Sequence, residues 1–239
     1  MPDILLEVCV DDSAGLGAAL RGGAGRVELC SALALGGLTP SAGLMQAAAF
    51  AGRPVMAMIR PRAGNFIWST EDLRLMRADI AAARAAGMAG VVLGASRPDG
   101  RLDEWMLSAL IAEADGMDTT LHRCFDLTPD KSAALETALN LGFSRILTSG
   151  GATRAPDAAD ALAALIAQAG PRITIMPGAG ISPATLPALA HLPLREVHAS
   201  CSMAQPETDA VAAMGFGPSE RRTTDESTVR ALCAALARL

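Results

Sequence analysis

The chain has 239 residues and a formal net charge of −5, and 51% of its residues are hydrophobic although only 3% are aromatic. The acidic balance argues against nucleic-acid and membrane-surface partners, which require a basic face. The sequence shows no export signal and no membrane-spanning apolar run, and its five cysteines are widely spread. We therefore expect a cytoplasmic protein with reduced thiols and an aliphatic core.

Short β-rich runs alternate with helical segments along the whole chain. Strands are expected at residues 4–10, 27–29, 54–59, 90–94, 119–124, 145–148, 172–176 and 196–200. Among the helices between them, Thr70 is expected to cap the third, and Pro183 to start the one after the seventh strand. Thr223 and Glu226 predict a capping box before the last helix.

This alternation predicts an α/β protein with a (β/α)8 TIM-barrel-like fold, formed by a single domain over residues 1–239. A doubly wound open sheet is the alternative. Residues 201–222 form an irregular stretch that is longer than most loops. We expect this stretch to cover the barrel mouth or an interface.

Side chains within each strand sort into an apolar and a polar phase with a period of two. In a barrel, one phase faces the helices and the other faces the axis. Near the carboxyl ends of the strands, where barrel enzymes keep their sites, the polar phase carries Glu7, Glu28, Arg60, His122 and His198. These residues form a general acid–base set with an anion clamp, and we predict them as catalytic residues.

The same charges have a second interpretation, which is internal neutralisation. Arg60 would balance Glu7 and Glu28, and His122 and His198 would be satisfied core histidines. Because an unpaired buried charge costs several kcal/mol, these groups must pair with each other, bind a ligand or lie at the open top of the barrel.

Two thiols, Cys9 and Cys30, belong to the inward phase of the first two strands. Soft thiolates suit copper(I), so two-coordinate ligation is feasible, although the spacing is not a compact metal motif. The acids and histidines could instead hold a harder divalent metal with one position left to water. Cys124 also falls in the inward phase, and both Cys124 and Cys201 are open to either packing or site roles.

Glycine-rich turns follow the sixth and seventh strands. Backbone amides near Gly150, Gly151, Gly178 and Gly180 could hold a phosphate-like anion, because barrels often bind phosphate near strands seven and eight. Ordinary turn formation is the alternative for the same glycines.

A set of motifs spread over nearly the whole chain resembles the copper homeostasis protein CutC family. The motifs are Leu6-Glu-Val-Cys-Val-Asp11, Arg26-Val-Glu-Leu-Cys-Ser31, Gly36-Gly-Leu-Thr-Pro-Ser41, Met58-Ile-Arg-Pro-Arg62, His122-Arg123, Phe125-Asp126, Arg145-Ile-Leu-Thr-Ser-Gly150, Ile175-Met-Pro-Gly178 and His198. The resemblance implies a TIM-barrel-like cytoplasmic protein, often a homodimer, that binds copper(I) at Cys9 and Cys30. Cys124 and Cys201 depart from the family pattern.

The residues and the resemblance therefore support two alternative functions. The first is a copper(I)-binding protein of copper homeostasis. The second is a TIM-barrel enzyme that acts on a small anionic substrate, phosphorylated or not, at a Glu/His/Arg site, with or without a metal.

Overall fold

The computed structural model describes residues 4–206 and 208–239, apart from the side chain of residue 209. Eight parallel strands form the main sheet, and helices lie between them, as the strand and helix alternation predicts. The strands are β1 (Leu5–Val10), β2 (Arg26–Leu29), β3 (Val55–Met58), β4 (Gly90–Leu93), β5 (Asp118–Leu121), β6 (Arg145–Thr148), β7 (Thr174–Pro177) and β8 (Glu196–Ala199).

The strands pair in the order β7-β6-β5-β4-β3-β2-β1-β8, so the sheet curls into a nearly closed barrel with its seam between β7 and β8. Glu7 of β1 lies opposite both Arg26 of β2 and His198 of β8. Cys9 lies opposite Glu28. The TIM-barrel-like fold class is confirmed, and the open doubly wound sheet is excluded for the described residues.

Eight α-helices accompany the strands within the described residues. They are α1 (Ser13–Gly22), α2 (Ala42–Ala48), α3 (Thr70–Ala85), α4 (Glu104–Glu113), α5 (Lys131–Leu141), α6 (Ala159–Ala169), α7 (Asp209–Ala213) and α8 (Glu226–Leu236). None of the helices in these residues has both the length and the apolar composition needed to cross a lipid bilayer.

Two predicted helix starts were displaced by one or two residues. Ser69, rather than Thr70, caps α3. Asp225 caps α8, because Thr223 is already committed to a strand and cannot take the cap position before Glu226. In both cases the residue with the extended backbone accepts the first-turn amide hydrogen bond.

The α-helix predicted from Pro183 does not form after β7. A short 3-10 helix, Leu186–Leu189, takes its place. The amide of Ser182 donates to the hydroxyl of Thr185 in a local turn, at 2.9 Å. Pro187 lacks an amide hydrogen and so favours this short element over a continuing α-helix.

Part of the stretch over 201–222 is regular rather than irregular. It contains β9 (Ser202–Pro206), which pairs antiparallel with β10 (Glu220–Thr224), and α7 lies between them in the sequence. Sequence reasoning missed this hairpin because its strands are short, polar and largely exposed, so they lack the hydrophobic alternation that marks a buried strand.

The apolar phase of the strands packs against the helices and forms the main hydrophobic core, as predicted from the alternation. In β6, Ile146 belongs to this outer core and Leu147 faces the barrel interior. Cys124 is likewise buried in the outer core. It follows the end of β5, where the chain enters a 3-10 turn and the strand alternation no longer applies.

Candidate functional site

The lower half of the barrel interior holds a column of side chains whose charges alternate in sign. Arg145 donates to Asp118 at 2.7 Å and to Glu196 at 3.0 Å. Arg26 then donates both to Glu196 and to Glu7. Each buried cation therefore has carboxylate partners, which is the condition for keeping such charges in a barrel core.

The column continues upward from Glu7 to the mouth of the barrel. His198 Nδ1 donates to Glu7 Oε1 at 2.9 Å, and His198 Nε2 lies 3.8 Å from Glu28 Oε2. The Cys30 thiol donates to the same Glu28 oxygen at 3.6 Å. Sulfur, imidazole and carboxylate therefore converge at the carboxyl ends of β8, β1 and β2.

Burial and pairing move the pKa values of these groups in different directions. Burial raises the pKa of Glu7, but the hydrogen bond from His198 and the charge of Arg26 outweigh it and lower that pKa to about 2. Burial raises the pKa of Glu28, and the negative Glu7 adds to this effect. Burial opposes the charge on His198, yet Glu28 raises its pKa well above the ordinary value. Glu7 is thus an anion at neutral pH, whereas burial and Glu7 favour the protonated form of Glu28, and the charge of Glu28 favours the protonated form of His198.

A cavity of about 960 Å³ opens above this column. Its wall includes Cys9, Glu28, Arg60, His122 and His198. Apolar groups complete the lining, and the segment after β8 contributes a side of it through Val211, Phe216, Gly217, Pro218, Glu220, Arg221 and Arg222. A concave, mostly apolar pocket with a few convergent polar groups is the usual form of a small-molecule site.

His122 lines this cavity and its ring is neutral. Its Nδ1 accepts from the Cys124 amide at 3.2 Å, so the ring hydrogen lies on Nε2. Burial lowers the pKa of His122 to about 3, and the charge of Arg60 adds to this effect. Gly94 makes room for the ring, because a Cβ at Gly94 would lie 2.4 Å from His122 Cε1.

Arg60 lies beside His122 but pairs with no carboxylate among the described residues. Its guanidinium donates to the carbonyls of Leu35, Gly37 and Gly64 at 2.8, 2.9 and 3.0 Å. Neutralisation of Glu7 and Glu28 by Arg60, the second interpretation above, was therefore wrong, since Arg26 and His198 are the cations that contact Glu7. Burial lowers the pKa of Arg60, and its positive charge is available to a ligand.

Three buried polar atoms of the cavity lining have no hydrogen-bond partner within the part of the chain that the structure describes. They are Glu28 Oε1, Arg60 Nε and His122 Nε2. A buried polar atom without a partner costs about 1–3 kcal/mol. One acceptor and two donors around one cavity thus indicate a ligand that carries both kinds of group.

The glycine turns predicted to bind an anion are largely satisfied within the protein. The amides of Ser149 and Gly151 donate to Asp126, each at 3.1 Å. The amide of Gly150 donates to the Thr148 hydroxyl at 2.9 Å, and that of Gly178 to the Thr148 carbonyl at 2.9 Å. Of the four predicted glycines, only Gly180 lines the cavity.

Residues 4–203 match the sequence profile of the CutC family. The chain belongs to the CutC family. A family protein CutC from Sinorhizobium medicae is 60% identical over 99% of this chain and 97% of its own length, and one from Caulobacter vibrioides is 53% identical over 98% and 97%.

Solved structures agree with this assignment. The putative copper homeostasis protein CutC from Streptococcus agalactiae superposes with a TM-score of 0.76 and 30% identity, over 82% of this chain and 98% of that one. A structure titled native KDPGal superposes with a TM-score of 0.59 and 12% identity, over 100% of this chain and 97% of that one. At this low identity the second match shows a shared barrel fold alone.

The strand alternation predicted most of the residues that line the barrel interior of this CutC-family chain. Glu7, Glu28, Arg60, His122 and His198 all face the barrel interior or its mouth. Arg26, Arg145 and Asp126 were not anticipated. Arg26 stands two residues before Glu28 and so shares its inward phase, and that signal could have identified it.

Proposed function

We propose that the protein is an enzyme that binds a small anionic substrate at the carboxyl ends of the barrel strands. The carrying observation is the set of three unpartnered buried atoms, Glu28 Oε1, Arg60 Nε and His122 Nε2, on the wall of one cavity. Structural residues of a packed core satisfy such atoms internally. Here they are left for a ligand.

The two sides of the cavity have different roles in this proposal. Arg60 supplies a positive charge and His122 a neutral N–H donor, so together they would bind and polarise a carboxylate, phosphate or carbonyl oxygen. Glu28 and His198 form the reacting side, where a proton or a metal ion can be held. Glu7 keeps its charge and fixes the orientation of the His198 ring.

A phosphate-binding experiment tests the oxygen-binding side. Inorganic phosphate would be titrated calorimetrically into metal-free protein and into the variants Arg60→Gln and His122→Ala. The matched control is Arg62→Gln, because Arg62 is two positions away, largely exposed and absent from the cavity wall. We expect both cavity variants to lose binding and the control to retain it. Equal binding by all four proteins would contradict the proposal.

The second candidate is copper(I) binding, as the name of the Streptococcus relative, a putative copper homeostasis protein, suggests. It is favoured by Cys9 and Cys30, whose buried thiols lie on neighbouring strands of the inner face. The thiol of Cys30 donates to Glu28, so a two-thiolate site requires this hydrogen bond to break. Competition with a copper(I) chelator tests it, since changing both cysteines to serine should abolish binding.

We also propose a cellular location and an oligomeric state for the protein. All five cysteines are free thiols, which suits a reducing compartment such as the cytoplasm. The net charge of −5 disfavours nucleic acid as a partner. A homodimer is proposed from the family resemblance.

A further inference from the structure

The side chains of Cys9, Glu28 and His198 meet at one point inside the barrel. One ligand atom from each lies within 4.8 Å of the other two, and all three residues are buried. Two atoms bound to one tetrahedral zinc ion lie about 3.5 Å apart, since Zn–S is about 2.3 Å and Zn–N about 2.1 Å. Side-chain movements of about 1 Å would therefore bring all three onto one ion.

The backbone register explains this convergence. Cys9 and Glu28 are direct neighbours across β1 and β2, and His198 is the β8 neighbour of Glu7. Three adjacent strands thus deliver three different donor types, with His198 opposite Glu7, two residues before Cys9, and its ring reaching to 3.8 Å from Glu28. Glu28 Oε1 is buried and has no hydrogen-bond partner within the described residues, so this carboxylate retains a free coordinating atom.

The residue behind His198 has the arrangement found around metal-bound imidazoles. Glu7 Oε1 accepts from His198 Nδ1 at 2.9 Å, which leaves Nε2 as the nitrogen that faces Glu28 and Cys9. Carboxylate–histidine–metal triads fix the tautomer of a ligand in this way. Arg26 in turn holds Glu7 by a buried ion pair.

We propose that Cys9, Glu28 and His198 Nε2 form a binding site for a divalent cation of borderline softness, such as Zn²⁺. One thiolate, one imidazole and one carboxylate suit zinc, whereas copper(I) prefers a set of soft sulfur ligands. Cys30 contacts Glu28 at 3.6 Å but is not one of the three residues whose ligand atoms all lie within 4.8 Å of one another. The proposed site therefore differs from a Cys9–Cys30 copper site in one ligand and in the metal it selects.

Three protein ligands leave the fourth tetrahedral position open. Catalytic zinc sites have this property, whereas structural sites are closed by four protein ligands. The open position faces the cavity that Arg60 and His122 also line. The cation site deepens the proposed function, and any catalytic role of the cation rests on that function. Cation binding itself does not require a substrate.

Metal titrations of chelator-treated protein test the site. ZnCl₂ would be titrated calorimetrically, and CoCl₂ would be followed by the absorption that arises when a thiolate coordinates cobalt. We expect one ion per chain, and we expect Cys9→Ser to remove the cobalt–thiolate absorption. Glu28→Gln should weaken zinc binding at least tenfold, and Glu7→Gln by about 10- to 100-fold, as is usual for partners of ligating histidines.

Two cysteine variants complete the design. Cys233→Ser is the matched control, because that thiol lies at the last helix, away from the cavity. Cys30→Ser should keep the cobalt–thiolate absorption. Loss of that absorption in Cys30→Ser but not in Cys9→Ser, or the lack of stoichiometric zinc binding by the folded parent protein, would overturn the proposal. Circular dichroism of each variant separates lost binding from lost folding.

The phosphate titration keeps the two proposals distinguishable. If metal-free protein binds phosphate but not zinc, the substrate proposal stands and the cation site fails. If it binds zinc at Cys9 and Arg60→Gln binds phosphate as well as the parent protein does, the cation site stands and the substrate proposal fails.

Discussion

Glu7 and His198 are joined by a 2.9 Å hydrogen bond that links the charged column of the barrel interior to the cavity. Below it, Arg26 and Glu196 pair among themselves, and above it Glu28 has an unpartnered oxygen. This bond is therefore the boundary between charges that hold the barrel together and groups that face a ligand.

The two carboxylates on either side of this boundary should respond differently to the same substitution. Glu7→Gln removes an anion from between two buried cations, Arg26 and His198, and we expect it to lower the free energy of unfolding by about 3–5 kcal/mol. Glu28→Gln should change that free energy by less than about 1 kcal/mol, because burial and the negative Glu7 oppose the Glu28 charge and offset its attraction to His198. Urea denaturation of both variants measures the difference. Equal losses would show that Glu28 is structural as well.

Acid should destabilise the protein through Glu7. Its pKa falls from 4.5 to about 2 in the folded state, so its contribution is fully present above pH 4.5 and is lost as the pH falls towards 2. That contribution is on the order of 3 kcal/mol. Thermal melts of metal-free protein between pH 6 and pH 2.5 would measure it, and Glu7→Gln should flatten this part of the curve.

Alkali should destabilise the protein through Glu28 and His198. A carboxyl whose pKa is raised by burial loses folded-state stability as the pH rises from 4.5 through its raised value. His198, whose pKa is also raised, contributes stability below 6.5 that disappears as the pH passes its folded value. Glu28→Gln should reduce the loss of stability at alkaline pH. A curve of unfolding free energy against pH identical to that of the parent protein would contradict this assignment.

The sequence was sufficient for the barrel architecture and for most residues of the inner face, since a period of two sorts strand side chains. It placed Cys124 wrongly, because the alternation ends where the chain enters the 3-10 turn after β5. It did not identify which charges pair. The alternative interpretation paired Arg60 with Glu7, yet Arg60 lies beyond the end of β3 and donates to loop carbonyls, while Arg26 donates to Glu7 from below. Pairing across a barrel depends on height along the axis, and that height follows from strand register, which periodicity does not give.

The glycines illustrate a second limit. Gly150 and Gly151 were expected to free amides for an anion, but Asp126, a residue of the preceding loop, already lies against this turn. Gly180→Ala would not test an anion site cleanly, because its new Cβ would lie 2.8 Å from Arg154 Nε. A glycine motif indicates a backbone position where a side chain would not fit, but only the structure shows which neighbouring group occupies that space.

Gly94→Ala should displace His122 without changing any charged group. The added Cβ would lie 2.4 Å from the imidazole and 2.5 Å from Cys124 Sγ, so the ring must turn away from its buried position. We expect loss of phosphate binding comparable with that of His122→Ala, together with a modest loss of stability. Gly116→Ala is the comparison for stability, because its Cβ would meet nothing within 4 Å, although its φ of +78° adds backbone strain. Retained phosphate binding in Gly94→Ala would contradict a role for the His122 position.

Native protein should expose one reactive thiol of five. Cys233 is half buried, whereas Cys9, Cys30, Cys124 and Cys201 are buried. Burial also raises the pKa of Cys30, and raises that of Cys201 to about 12, which keeps these thiols protonated and slow to react. A colorimetric thiol reagent should therefore label one cysteine rapidly before unfolding, and Cys233→Ser should remove that phase. Rapid labelling of more than one thiol would show that the cavity opens.

The segment after β8 carries two exposed apolar side chains, one of which lines the cavity. Phe216 is 80% exposed and Met214 is 69% exposed, and Phe216 also lines the cavity. Exposed apolar groups of this size, next to a site, are typical of an interface. If the expected homodimer forms through this face, the partner copy would cover both residues and close one side of the cavity.

The double variant Met214→Ser with Phe216→Ser should therefore shift a dimer towards monomer in light scattering after size exclusion. The control is Phe50→Ser, because Phe50 is 92% exposed but lies at the end of α2, before β3, at the opposite end of the barrel. Its loss should leave the assembly unchanged. A dimer that resists the double variant but dissociates with Phe50→Ser would place the interface at the base of the barrel, and the cavity would then belong to each chain alone.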